Sequence, residues 1–345
     1  MDGWWCVAQK DTYQVDQLVC YFEVDSWIPN TVASFLTRDG HEPREFNGVK
    51  GERLRTIKLR GQVSQGMLMP LDKIPFVKPE LVTEETLLEG SDLTEVIGIQ
   101  KWERAEHGSL GGESRSNWPR FLRKTDQERV QNLPTVLEDY KGMDFQVTTK
   151  LDGSSCTMYF LAAKSYYWDP EVEVAEVLEE GQEPDPTYGR FGVCSRNIDL
   201  KETDGNAFWS IARKIDMEKK LKTAAWLTSL AIQGELIAPN IQNNYEKVSE
   251  PAFYVFDIWN IETQAYMSPS QVVAICKSME LNHVPVLSAS WDISKAFTSI
   301  DDILKYAEGP GMNPGVSREG VVFKHCDSDF SFKAISNAYL VAEVD

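Results

Sequence analysis

Charged residues recur inside apolar, strand-like segments of the C-terminal two thirds of this chain, and no other feature restricts its folding as much. They stand in "TTKLDGSSCTMYF" (148–160), "CSRN" (194–197), "QGELIAP" (233–239), "FYVFDIW" (253–259), "REGVVFK" (318–324) and "FSFKAIS" (330–336). A charge inside an apolar strand is unfavourable unless it pairs, binds a metal or meets a ligand. One such segment would be an accident. Six in one stretch predict strands that converge on a shared polar pocket.

The chain of 345 residues is long enough for two domains, each with its own core. Its 42% hydrophobic and 26% charged content is that of a globular protein. The N-terminus has no basic region followed by an apolar run. No segment approaches the roughly 18–20 continuous apolar residues of a membrane span. A soluble intracellular protein, cytoplasmic or nuclear, with no membrane partner is expected. The six cysteines are scattered without a C-x-x-C pair, which predicts free thiols, and the four histidines lack metal-ligand spacing. A net charge of −18 argues against holding nucleic acid by bulk electrostatics and leaves room only for a local basic groove. The acidic run 171–186 reads as a solvated excursion between strands.

The glycines and serines of "HGSLGGESRSNWP" (107–119) cannot hold a helix or a central strand, so a domain boundary is expected there. This gives domains at 1–110 and 119–345. In "LVCYFEVD" (18–25), Leu18, Cys20, Phe22 and Val24 occupy one face, with Val19, Tyr21, Glu23 and Asp25 on the other. In 53–61, Arg55, Ile57 and Leu59 alternate with Thr56, Lys58 and Arg60, and the face carrying Lys58 and Arg60 could touch phosphates or simply be solvated. Small all-β modules of this size are commonly barrels or sandwiches. Beyond the break, 207–221 predicts one amphipathic helix with Phe208, Ile211, Ala212 and Ile215 on its apolar stripe. A second helix opens at Ser268 as N-cap with Pro269 in the first turn. The whole is α+β.

Lys150, Asp152 and Gly153 form a K-x-D-G pattern. Alone it is weak, since a lysine at a strand mouth is often only a solvated strand start. The ordered set that follows it closely resembles the covalent nucleotidyltransferases, the ATP-dependent DNA and RNA ligases and mRNA capping enzymes, from about residue 119 onward. The resemblance implies a ligase-type nucleotidyltransferase (ATP-grasp-like) domain in which Lys150 attacks the α-phosphate of a nucleoside triphosphate. It further implies that Arg196 contacts ribose or phosphate, that Glu235 accepts from a ribose hydroxyl or holds a metal-bound water, and that Phe256 stacks on the purine. Lys324 and Lys333 would contact phosphates; Asp152, Glu235 and Glu319 would hold Mg²⁺ or Mn²⁺. Pairing of Arg196 with Asp199 or Glu202 is the structural alternative. A neutral Lys150 amine requires a depressed pKa, expected from Lys324, Lys333, the cation or desolvation. Where some relatives carry a second lysine near "FSFKAIS", this chain has Ser331.

Domain order narrows the resemblance. Only 12 residues follow Lys333, and the extra module precedes the lysine. That order, with 18–29, 59–71 and 123–133, resembles ATP-dependent RNA ligases with an N-terminal OB domain, so an OB-like β-barrel is expected. ATP is then the co-substrate and RNA ends, including a nicked duplex, the partner of a monomer active in RNA repair. A DNA ligase or a GTP-using capping-type enzyme is the alternative. Arg120, Arg123, Lys124 and Arg129 would grip strand or nucleotide, or form a solvated face.

Overall fold

The computed structural model describes residues 3–83, 87–103, 113–169, 188–225 and 228–342. The chain divides into two compact units, Met1–Ala105 with Asn337–Asp345, and Glu106–Ser336. The acidic run 171–186 and positions 107–112 lie outside the described residues. The last residues therefore group with the first unit, whereas 119–345 was expected as one block. Within that unit Gln65 donates from Nε2 to Asn337 Oδ1 at 3.0 Å.

The first unit is built from short strands. Val19–Phe22 pairs with Met67–Pro70, and Arg44–Phe46, Val49–Arg53, Ser26–Pro29 and Gln100–Lys101 form a four-stranded sheet. Cys20, Phe22, Ile28, Leu54, Met69 and Ile97 fill its core. The two alternating runs break earlier than their periodicity predicts. Asp25 adopts φ +65° and turns the chain after Phe22. Arg53 is held by an Asp25 ion pair at 2.6 Å, and the next strand, Ile57–Leu59, starts afresh in an exposed hairpin with Gln62–Ser64. Ile57, Lys58 and Leu59 are all exposed, so the expected two-faced pattern is absent there.

The second unit holds two antiparallel-rich sheets. The larger runs Ala265–Tyr266, Ala252–Asn260, Leu230–Ile237, Ser154–Ala162, Gly189–Cys194, Ile198–Leu200 and Ser114–Asn117. Ser114–Asn117, from the serine-rich break, forms an edge. One face carries Cys156, Met158, Phe160, Val193 and Ile232 onto the helices Ala207–Lys214, Met217–Ala224 and Pro269–Ser278. The single helix expected over 207–221 is two, because Asp216 takes a left-handed φ of +54° between them. Ser268 does cap the third helix, in a reciprocal box with Gln271.

The smaller sheet runs Glu128–Arg129, Ser331–Ile335, Gly320–His325, Asp144–Lys150 and Val286–Asp292. Strand alternation sends Phe145, Val147, Val321, Phe323, Phe332 and Ala334 into a core with helix Ile300–Ala307. The opposite face carries Gln146, Thr148, Lys150, Lys324, Ser331 and Lys333 along with Val322 and Ile335. All six cysteines are free. No helix among the described residues is long and apolar enough to cross a membrane.

Candidate active site

The second face of the smaller sheet explains why lysines stand in apolar strands. Lys150 pairs in register with Gly320, Val322 with Lys333, and Lys324 with Ser331. Directly opposed residues share a face, so Lys150, Lys324 and Lys333 rise on one side, away from the phenylalanine core. After Lys150 the chain leaves this sheet and within three residues enters the larger one at Ser154. The lysine thus stands at the crossover of two cores. Gly153 is obligatory in that turn, since a Cβ there would lie 2.5 Å from the Leu236 carbonyl oxygen.

Lys150 donates from Nζ to both carboxylate oxygens of Glu319, at 2.7 and 2.8 Å. Glu319 is buried and fixed from both sides. Its carbonyl accepts from Ser336 N–H at 2.8 Å, and Arg318 beside it donates from Nε to the Ala307 carbonyl at 3.0 Å, closing the end of the neighbouring helix. Burial works against the Lys150 charge, but Glu319, Glu235 and Asp152 outweigh it and hold the amine above its ordinary value. The depressed pKa expected of a nucleophile is therefore absent from the free protein. Its physical reason is the Glu319 carboxylate in direct contact with the amine, with Glu235 and Asp152 adding to it.

Glu235 reaches the cluster from the larger sheet, opposite Ser155 and Tyr254. Burial, with the nearby negative charges of Glu319 and Asp152, pushes the Glu235 carboxyl up to about 8 against the pull of Lys150 and Arg196. A raised folded value gives stability that is complete below the unfolded carboxyl range and fades as pH rises toward about 8. Glu235→Gln should hence raise the thermal midpoint of the free protein by a few degrees near pH 8. Near pH 5 the difference should shrink. Scanning calorimetry at both pH values checks this; equal effects at both would refute it.

The remaining expected residues are placed as follows. Lys324 is buried, pairs with Asp257 Oδ1 at 2.7 Å, and donates to the Phe256 carbonyl. Phe256 occupies the extra position where the Gln233–Gly234 register shifts, a bulge on the strand that packs its side chain against the cluster of Leu151, Ile237 and Val284. Its ring centroid lies 5.6 Å from Lys324 Nζ. Lys333 lies in register with Val322 and beside Arg129 of the parallel edge strand. Burial, then the charges of Lys150 and Arg129, push its amine down to about 8. Arg196 sits on the turn after Gly189–Cys194 and pairs with Asp126 at 2.8 Å, not with Asp199 or Glu202. Those two carboxylates are taken by Arg190, at 2.7 Å, and Arg213, at 2.6 Å. Lys124 donates to the Arg196 carbonyl and to Asn197 Oδ1, both at 2.9 Å, which ties the segment ahead of Lys150 to that turn. A cavity of about 230 Å³ lies beside Lys324, lined also by Arg123, Lys124, Asp126, Asp257 and Ser331.

Three carboxylates escaped the sequence reading. Asp126 and Asp257 are the counter-ions just described. Glu246 is only 1% exposed, and its Oε1 accepts from the Asp152 N–H at 3.1 Å. Nothing in "NNYEKV" distinguishes it from a solvated loop residue.

Asp152, Glu235 and Glu319 suit a hard divalent cation in kind, being carboxylate oxygens gathered around one point of positive charge. Among the described residues no three of them close on a ready-made metal cage. The Lys150 ammonium fills the role of counter-charge instead. Such a set fits an ion that keeps several of its own waters and is completed by phosphate oxygens.

A family model described as RNA ligase matches residues 143–335, and one described as an OB-fold domain matches residues 1–71. Curated protein sequences yield no match. Among solved structures, a lysine-to-alanine variant of the Naegleria gruberi RNA ligase with ATP and Mn is 38% identical, with a TM-score of 0.80, covering 99% of this chain and 92% of that one. A glutamate-to-alanine variant of the same ligase with AMP and Mn gives 38% and 0.80, over 99% and 91%. The ligase with PPi gives 38% and 0.78, over 98% and 90%.

Proposed function

The chain belongs to the RNA ligase family, and from that premise we propose how its own residues carry ATP-dependent joining of RNA ends. The observation that carries this reading is the Lys150 amine, clasped by Glu319 at a K-x-D-G crossover with Lys333 on the same sheet face. Lys150 Nζ, once it has given up a proton, attacks the α-phosphorus of ATP. A P–N bond forms, the bond to the bridging oxygen breaks, and pyrophosphate leaves. An RNA 5′-phosphate oxygen then attacks the same phosphorus and returns the electron pair to Lys150, which takes up a proton. Attack by a 3′-hydroxyl on the activated 5′-phosphorus seals the strand and releases AMP.

Lys333 and Lys324 lie on the face from which phosphate oxygens are met, and the Phe256 ring offers an apolar surface for the adenine. Arg196 holds ribose or phosphate after parting from Asp126. Asp152, Glu235 and Glu319 would hold the divalent cation, whose chemistry when bound is to offset carboxylate and phosphate charge. With those carboxylates offset, burial and Lys333 draw the Lys150 pKa down, so the amine becomes nucleophilic only when the site is loaded. The substrate we propose is a 5′-phosphate and 3′-hydroxyl at a nick or bridged break, sealed by a monomer in the repair of damaged RNA.

Sealing of nicked duplexes with either RNA or DNA on the 3′-hydroxyl side tests the substrate. Sealing is expected with a ribonucleotide at the 3′-hydroxyl and should fall at least about tenfold with deoxyribonucleotides, because a hydroxyl that the site is built to bond would be missing. Equal sealing of all-DNA nicks would move the reading to a DNA ligase. Labelling of the protein by GTP instead of ATP would move it to capping chemistry.

A further inference from the structure

Glu246 is the group that the ligation chemistry leaves unexplained. Its side chain is almost wholly buried, and one oxygen accepts from the Asp152 N–H. The other oxygen, Oε2, is buried with no hydrogen-bond partner. An ionisable oxygen left bare inside a protein is costly, and this one is held there by deliberate means. Gln242, Asn243, Asn244 and Lys247 all take left-handed φ values between 48° and 54°. Asn244 braces the loop through its side chain, donating to the Val248 carbonyl at 2.9 Å and accepting from Val248 N–H at 2.8 Å. Asn313 donates to the Glu246 carbonyl at 2.7 Å. Four non-glycine residues in strained backbone bring one carboxylate beneath the K-x-D-G turn.

A purely structural role is satisfied by Oε1 alone. A neutral glutamine would supply that acceptor without burying a charge.

We infer that Glu246 is a fourth carboxylate of the divalent-cation site, contributed by loop 241–248, with its bare oxygen receiving a water molecule carried by the ion. The inference rests on the ligase reading, in which Asp152, Glu235 and Glu319 face the ion. It accounts for why Glu246 is tied to Asp152 in particular. Partners of this kind commonly change metal affinity by 10- to 100-fold, at about that order.

The test is Mn²⁺ binding to the full chain without nucleotide, read by the paramagnetic resonance of free Mn²⁺, with thermal midpoints measured alongside. Glu246→Gln keeps an oxygen for the Asp152 N–H and removes a buried charge, so the midpoint should hold or rise while Mn²⁺ binds at least about tenfold more weakly. Glu246→Asp, which keeps the charge but withdraws it by one methylene, should fall between and serves if the glutamine variant folds poorly. Glu319→Gln is the control on the underlying reading. If it weakens Mn²⁺ binding while both Glu246 variants leave affinity unchanged, the inference about Glu246 is overturned alone. If Glu319→Gln also has no effect, the cation reading of the whole cluster falls.

Discussion

Lys150→Ala should abolish transfer of AMP from ATP to the protein, by on the order of 10⁴-fold or more, as expected when a covalent nucleophile is removed. The argument is geometric as well as chemical. Among the described residues, the only other lysine amines on the same sheet face are Lys324, locked to Asp257, and Lys333, which lies two strands away beyond the Gly320–His325 strand. Neither can take the place of an amine at the crossover turn. The substitution also removes the ammonium that compensates Glu319, Glu235 and Asp152, so the free variant should melt lower than the parent. Incubation with α-labelled ATP followed by denaturing electrophoresis measures the first effect. Sealing of RNA already carrying a 5′–5′ adenylate should persist, because the last step uses no lysine nucleophile. Label retained in the alanine variant at the parent's rate would overturn the assignment.

Lys333→Ala should lower the rate of AMP transfer by about 10²–10³-fold, the usual cost of removing one charge aimed at a developing oxyanion. Its pH dependence is more telling than its size. With the Lys333 amine pushed down to about 8 in the free protein, the cation is present below that pH and lost above it. Since kcat/KM reports free-enzyme ionisations, kcat/KM for ATP should turn downward above about pH 8 in the parent. In Lys333→Ala that downward limb should vanish. Lys333→Arg should keep a charge at every pH and still be impaired, because the guanidinium fork cannot occupy the compact ammonium's place. A variant profile that retains the downward limb would assign it to another group.

Much of this site was legible in the sequence because its residues are placed by strand periodicity. Lys150, Lys324 and Lys333 fall on one face by alternation alone, and Glu319 precedes Gly320 at the mouth of the same sheet. What could not be read is which carboxylate each cation meets. Asp257 follows Phe256 by one residue, yet it reaches Lys324 from a different sheet. Glu246 becomes buried only because a run of left-handed residues folds it inward, and local composition carries no trace of that outcome. The helix over 207–221 failed for a similar reason. Its apolar spacing is sound, but the left-handed Asp216 divides it into two packed pieces.

Two of the three cations expected to meet phosphate already hold a carboxylate in the free protein: Lys324 with Asp257 and Arg196 with Asp126. Arrival of a triphosphate is therefore an exchange of anionic partners. Phosphate–protein attachment ordinarily draws its salt sensitivity from displaced counterions, roughly one per contact. Where the displaced anion is a tethered side chain, no free ion is taken up or released in its place. The slope of ATP affinity against ionic strength should then be shallower than three cationic contacts would suggest, a buffering of binding against the salt content of its surroundings.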